Sequence, residues 1–422
     1  MHHEARGPVT LAELTSGLIW PRLFRAVGLS IQPSRVLVGF VMVAVMMGFG
    51  ALFDGVVGRI VSLETLWMAA PMDMASLAAG AQGEDEMRFG LFQSLVTVMV
   101  SGLQLFVLGV LTLDLGQIGA ALAIFFIGLP SILAEHWFGG AILTLVWIFI
   151  ATLGGGAISR MAACEFSREV HMTAGQGLGY ALARWKDLLL AVLAPAIFIA
   201  VLALGLMLYG GLLLRFPVVN IVGALLYGLA LIVGFILVLL TLAFALGKAM
   251  LLPGVVVEST DWLDAIQRAY SYVLGRTIRF LIYVVVLLAL GSVVYAIAAT
   301  LTTATINGAA WLALHWAGES AREIAGGHTF FAMAMERPDA EGTFGVAAGI
   351  IGVWERLVIA VLAGFFVSFY FCASTLLYLA ARRVNDEQDM DEIWMPGRIG
   401  GTAAPEESPE APNSEGNDAD DD

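Results

Sequence analysis

Glu258, Asp261 and Asp264 place three carboxylates at intervals of three, and Arg268 follows four residues after the last of them. At the entrance to a helix that spacing gathers the acids on one side. Such a group could bind a cation or relay protons, since ionisable groups at the edge of a membrane bundle are often functional. It also fits plain helix chemistry: Asp261 as N-cap, Asp264 in the first turn, and Asp264 paired with Arg268. The capping role is the expectation. Asp114 lies between two apolar runs. In a cytoplasmic turn it needs no explanation; inside one buried hairpin it would be an intramembrane acid and a transport candidate. His315, Glu319 and Glu323 recur at intervals of four, with His328 behind them. Imidazole and carboxylate at that spacing can share a divalent metal. Arg322 would oppose the cation and no His-Glu-x-x-His run is present, so an ordinary helix face is expected. Glu135-His136 is a similar pair on an outer turn, beside Trp137, whose ring suits a membrane interface.

The chain carries no Walker loop, dinucleotide fingerprint, Gly-x-Ser-x-Gly elbow or Cys-x-x-Cys. No cofactor, metal or catalytic residue is therefore assigned. Cys164 and Cys372 are read as two small buried hydrophobes that do not pair. No basic stripe suggests nucleic acid.

The elements that must position these residues are membrane spans. Hydrophobic residues make up 59% of the 422 and charged residues 13%, against about 45–50% and 25% in soluble domains. A soluble chain this apolar could not cover its own surface, so the lipid bilayer is the expected partner. A helix needs about 20 apolar residues to cross the hydrocarbon, where the backbone finds no other hydrogen-bond partners. Runs of that kind occupy 36–53, 91–113, 115–134, 137–159, 188–214, 218–246, 280–301 and 357–381. The fold expected is an all-α polytopic bundle of eight spans. It has six if the second and third, which carry Gln93, Gln104, Gln117 and Pro130, form a re-entrant hairpin. No cleavable signal peptide is expected, because the first apolar run starts at Val36 and is too long for one.

Lys and Arg in the loops set the orientation. With the N-terminus inside, fourteen bases fall on the cytoplasmic side, among them Arg35, Arg160, Arg184, Lys248, Arg268, Arg276, Arg382 and Arg383. Six fall outside. Both termini are therefore expected in the cytoplasm and the protein in the cytoplasmic membrane. Residues 1–35 form an inner segment in which Leu18, Ile19, Trp20, Leu23, Phe24 and Val27 predict a short interfacial helix. Outer loops at 54–90 and 302–354 are expected to cap the bundle. From 384 a tail follows that holds 13 acids and one base, Arg398, counted from Asp386. It is expected to be disordered and dispensable for folding.

Residues 36–383 contain a possible parallel repeat. Each copy has an entering span, an amphipathic inner elbow and a leaving span, with elbows at 160–187 and 248–279. Tyr180 and Arg184 in the first correspond to Tyr272 and Arg276 in the second, an offset of 92. Thr173 and Gln176 fit a capping box. Leu263, Ile266, Tyr270 and Val273 predict the apolar face of the second elbow. Around that elbow, Glu258, Asp261, Ala265, Arg268, Tyr270 and Arg276 resemble a group of bacterial membrane proteins. These are related to the membrane domain attached to some glycerophosphodiester phosphodiesterases. The resemblance runs from about Gly154 to Gly291 and implies no catalytic residues, since the soluble barrel is absent. With almost no charge inside the spans, a non-catalytic scaffold, assembly or regulatory component is expected. The alternatives are a transporter, which needs a polar mid-membrane cavity, and a lipid-acting enzyme.

Overall fold

The computed structural model describes residues 19–69, 88–316, 325 and 342–395. Eight helices are long and apolar enough to cross a membrane. In chain order the elements are α1 (Arg25–Ser30), α2 (Pro33–Val57), β1 (Arg59–Ser62), α3 (Leu63–Ala69), β2 (Arg88–Gly90), α4 (Leu91–Thr112) and α5 (Leu115–Glu135). They continue with α6 (Trp137–Arg168), the first elbow α7 (Ala174–Ala183), α8 (Trp185–Leu214), α9 (Val219–Glu258), the second elbow α10 (Trp262–Gly275), α11 (Thr277–Leu314) and α12 (Gly342–Asn385). This is an all-α polytopic membrane bundle with eight candidate spans.

The second and third apolar runs form two separate helices. Leu113 adopts the left-handed conformation that ends α4, and Asp114 then caps α5 by accepting the amides of Gly116 and Gln117. Two polar-sprinkled helices result, each long and apolar enough to span, which gives eight candidate spans. Pro130 cannot donate to the preceding turn. The wide turn Ile124–Gly128 just before it absorbs the mismatch.

An even number of spans brings both ends of the described chain to one end of the bundle, which also holds both elbows. Arg22 reaches the Met390 sulfur there at 4.0 Å. The predicted N-terminal helix forms as a 3-10 turn at Trp20–Phe24 running into α1. It packs on the bundle, burying Leu23, Ala26 and Leu29. At the opposite end β1 and β2 pair antiparallel. Asp54 near the end of α2 accepts the amides of Phe92 and Gln93, both at 2.9 Å, and so caps the start of α4.

Two expected boundaries move. Spans α11 and α12 run well past the apolar runs that predicted them, so much of the second outer loop is helix. The stretch 386–395, expected within the disordered tail, is a docked strap with Met390 and Ile393 buried in the main core. Its acidic composition hid four apolar residues, Met390, Ile393, Trp394 and Met395, that find a surface to cover. Residues 396–422, Gly83 to Glu86, Glu319, Arg322, Glu323 and His328 lie outside the described residues.

The main core sits toward the elbow end, where α6, α9 and α12 bury the last third or more of their lengths. Glycine makes this packing possible. A Cβ on Gly39 of α2 would collide with the Gly364 carbonyl of α12, and one on Gly154 or Gly155 of α6 with Met42 or Phe371. Helices in lipid associate through such close contacts, because lipid removes most of the hydrophobic drive between them.

Candidate functional site

The polar residues worth considering collect on the floor of the elbow end. Three arginines are buried there: Arg35 and Arg382 at 1% exposure and Arg160 at 3%. A buried charge needs a partner or it strongly destabilises the fold. Arg35, at the start of α2, pairs with Glu165 near the end of α6 and also donates to the Leu29 carbonyl. Gln32 donates to the same Glu165 carboxylate, and His171 lies 3.2 Å from it. Arg382, at the end of α12, donates to Glu258 at 2.6 Å, and Tyr378 donates to the same oxygen at 3.3 Å.

The two pairs share a plan. In each, a glutamate from the last turn of a span that leads into an elbow meets an arginine from the first or last span. Glu165 and Glu258 are 93 positions apart, close to the offset of the Tyr and Arg matches. The contacts of those tyrosines differ, however. Tyr180 approaches Ser259 and the Val256 carbonyl, whereas Tyr272 donates to Asp386 of the strap.

The three-carboxylate stretch separates into three roles. Glu258 ends α9, and Ser259 in the left-handed conformation turns the chain into the elbow. Its carboxylate therefore faces α12. Asp261 accepts the Asp264 amide as N-cap, and Asp264 takes the Nε of Arg268 at 3.0 Å. The structure thus brings Glu258 to Arg382 and Asp264 to Arg268. Among the described residues no group of three His, Cys, Asp or Glu could hold a metal. Thr173 and Gln176 form the predicted capping box in the first elbow.

The apolar face of the second elbow matches the predicted one in part: Val273 is buried and Ile266 packs on the core, but the centre of the face is shifted. Ala265, Ala269, Tyr272 and Val273 are buried, while Leu263 is 46% exposed. Ala265 lies against Gly254 of α9, and small residues let the elbow approach that helix where leucine would hold it off. Burial, with the Asp386 carboxylate beside it, pushes the Tyr272 phenol above its ordinary range.

Arg160 differs from the other two arginines. Its Nη1 donates to the Val256 carbonyl at 2.8 Å and its Nη2 to the Trp394 carbonyl at 2.9 Å. The rings of Tyr180 and Trp394 lie 4.7 and 5.8 Å from the guanidinium carbon. No carboxylate pairs with it among the described residues. The strap supplies two of those contacts, both from Trp394, and several more: Arg382 Nη2 donates to the carbonyls of Asp389 and Glu392, Ser167 to that of Met390, and the Trp394 amide to Val257.

Elsewhere the candidate residues stay apart. Asp114 is an exposed cap in the turn between α4 and α5. Asn220 begins α9 at the far end, and Lys248 is exposed near its elbow end. Glu135 and His136 line an apolar groove of about 320 Å³ at the far end, walled by Phe53, Trp137 and Phe138. His315 packs between Trp311 and Trp316. Sequence reasoning missed the arginine–glutamate pairs, because their bases were read only as loop charges. The repeat offset linking Glu165 to Glu258 was the one available signal. Comparison of the chain with protein-family models, with curated proteins and with solved structures finds no match.

Proposed function

We propose that this integral membrane protein is a non-catalytic scaffold, assembly or regulatory component of the cytoplasmic membrane, with the elbow end and both termini in the cytoplasm. The orientation rests on the fourteen-to-six bias of loop bases toward the elbow end. The observation that carries the scaffold reading is the hairpin of α8 and α9. Between Pro195 and Ala243 only Gly223 is buried, and it is buried by Leu213 and Leu214 of the same hairpin. The upper part of the hairpin therefore stands beside the bundle and packs chiefly on itself.

Its glycines give the hairpin a purpose. Gly39, Gly154, Gly155, Gly156 and Gly364 each accommodate a neighbour that a Cβ would strike. Gly205, Gly210, Gly211, Gly228 and Gly234 have nothing within 4 Å of that position. Small residues on spanning helices serve close helix approach, and among the described residues no neighbour fills the space beside these glycines. A spanning helix of another polypeptide would use them.

Site-specific photocrosslinkers at Leu225 and Leu229, both exposed on the hairpin, test this in native membranes. A discrete protein adduct is expected, and Gly228→Trp should abolish it while leaving the purified chain folded. Lipid adducts alone, together with solute flux through proteoliposomes of the purified protein, would refute the scaffold reading in favour of transport. Reporter fusions at Pro217, expected outside, and at the C-terminus, expected inside, check the orientation.

A further inference from the structure

Among the described residues Arg160 is a buried cation without an anion. Arg35 and Arg382 each face a glutamate, but every contact of Arg160 is neutral: two carbonyls, the Met395 sulfur and two aromatic rings. Its Nε is buried and has no partner. In the low dielectric of the core, a charge held this way favours any anion that can reach it.

The way Arg160 and Arg382 are used shows where an anion would sit. In both, Nη1 is held by the body of the protein, through Val256 for one and Glu258 for the other. In both, Nη2 is taken by carbonyls of the strap, and Nε is unpartnered. Nε and Nη2 form one edge of the guanidinium fork, which can hold two oxygens of a planar or tetrahedral oxyanion side by side. On each arginine the strap takes half of that edge with a neutral oxygen and leaves the other half empty. The strap carbonyls of Glu392 and Trp394 are two residues apart, so the two arginines lie along one short path of about 7 Å of extended chain.

Depth suggests the source of the anion. Arg160 is 23 residues along α6 from Trp137, which is 71% exposed at the far interface. At 1.5 Å per residue this is about 34 Å, one hydrocarbon thickness and a little more. With the exposed Trp137 ring taken as the anchor of the far interface, this length brings Arg160 to the level of phosphates in the elbow-end leaflet. Soluble phosphate also reaches that level from the aqueous side.

We propose that Arg160 and Arg382 form a binding site for an oxyanion of the phosphate class, and that residues 389–394 cover it with their own carbonyls. Strap and anion compete for the same Nε/Nη2 edges. Phosphate binding releases the strap, and the strap's five acids, Asp386 to Glu392, favour its leaving once an anion is seated. The site does not depend on the hairpin or on any partner it binds.

Hydrogen exchange of the 386–395 segment, measured on the full chain in nanodiscs, tests the competition. Neutral phosphatidylcholine is the reference. One arm replaces part of it with phosphatidylglycerol, and a second adds inorganic phosphate to the neutral disc. A roughly tenfold rise in exchange of the strap is expected in at least one arm. A rise with phosphatidylglycerol alone identifies a lipid headgroup, and a rise with phosphate alone a soluble ligand. Arg160→Lys keeps the charge but not the fork, and should lose the response while retaining helical signal. Should that variant fail to fold, a chain ending at Asn385 serves instead, because removing the cover should tighten binding of the same anion. An unchanged strap in both arms, an undiminished response in Arg160→Lys, or no gain in the truncated chain would overturn the proposal.

Discussion

Arg382 and Arg383 are neighbours in sequence, yet the structure gives them very different weights. The Arg382 side chain is 1% exposed and Glu258, its partner, 16%. Arg383 pairs with Asp389 in solvent, the two side chains being 42% and 61% exposed. Methionine at either position keeps the apolar stem and removes the fork. At Arg382 this leaves Glu258 with only Tyr378 and deprives two strap carbonyls of their donor. Breaking one side of a buried pair costs about 3–5 kcal/mol. At Arg383 the loss is an exposed pair worth about 0–1 kcal/mol. Arg382→Met should therefore shift the folding equilibrium by a hundredfold or more, since about 1.4 kcal/mol is tenfold, and Arg383→Met by no more than about fivefold. Equilibrium unfolding in mixed SDS micelles, followed by tryptophan fluorescence, measures both. Equal shifts for the two variants, or a shift below tenfold at Arg382, would refute the view that the elbow-end floor is held by buried pairs.

Truncation after Met395 should leave thermal stability in detergent unchanged, whereas truncation after Asn385 should lower it, because Arg160, Arg382 and Ser167 then lose their strap carbonyls. Equal stability of the two would show that the strap contributes nothing. Ala265→Leu should destabilise by about 1–3 kcal/mol through overpacking against α9, while Leu263→Asn, on the exposed face, should stay within about 0.5 kcal/mol; the reverse ranking would restore the face first predicted for the second elbow. Tyr272 holds its proton more firmly folded than unfolded. Its contribution is therefore full below about pH 10, the ordinary value, and is lost as pH rises through the higher folded value. Wild type should thus lose stability more steeply than Tyr272→Phe above pH 10, and parallel alkaline profiles would contradict that.

Features governed by local rules were legible in the sequence. Lipid imposes a minimum length and an absence of charge, so the eight spans could be read without neighbours. Thr173 and Asp261 cap helices through amides three residues away, and the spacing showed it. The buried pairs obey no local rule: Arg35 and Glu165 are separated by 130 positions, Arg382 and Glu258 by 124. Each arginine looked like any other loop base. The second elbow was misread for a different reason. Hydrophobicity marks large residues such as Leu263, but close packing against Gly254 selects Ala265. The end of α11 was placed too early and the start of α12 too late, because polar residues were taken as helix boundaries, and helices can continue beyond the hydrocarbon.

The strap also has a consequence for the order in which the chain is made. Arg160 leaves the ribosome 234 residues before Trp394, the residue whose carbonyl it needs. At about 5–20 residues per second, that guanidinium waits roughly 10–50 s for its partner. During that interval α9 is made and can join α6, but the strap contact at their ends does not yet exist. Closure of the elbow end therefore waits until the eighth span and the strap behind it have been made. A chain that stops before the strap leaves the Nη2 of Arg160 without its carbonyl partner.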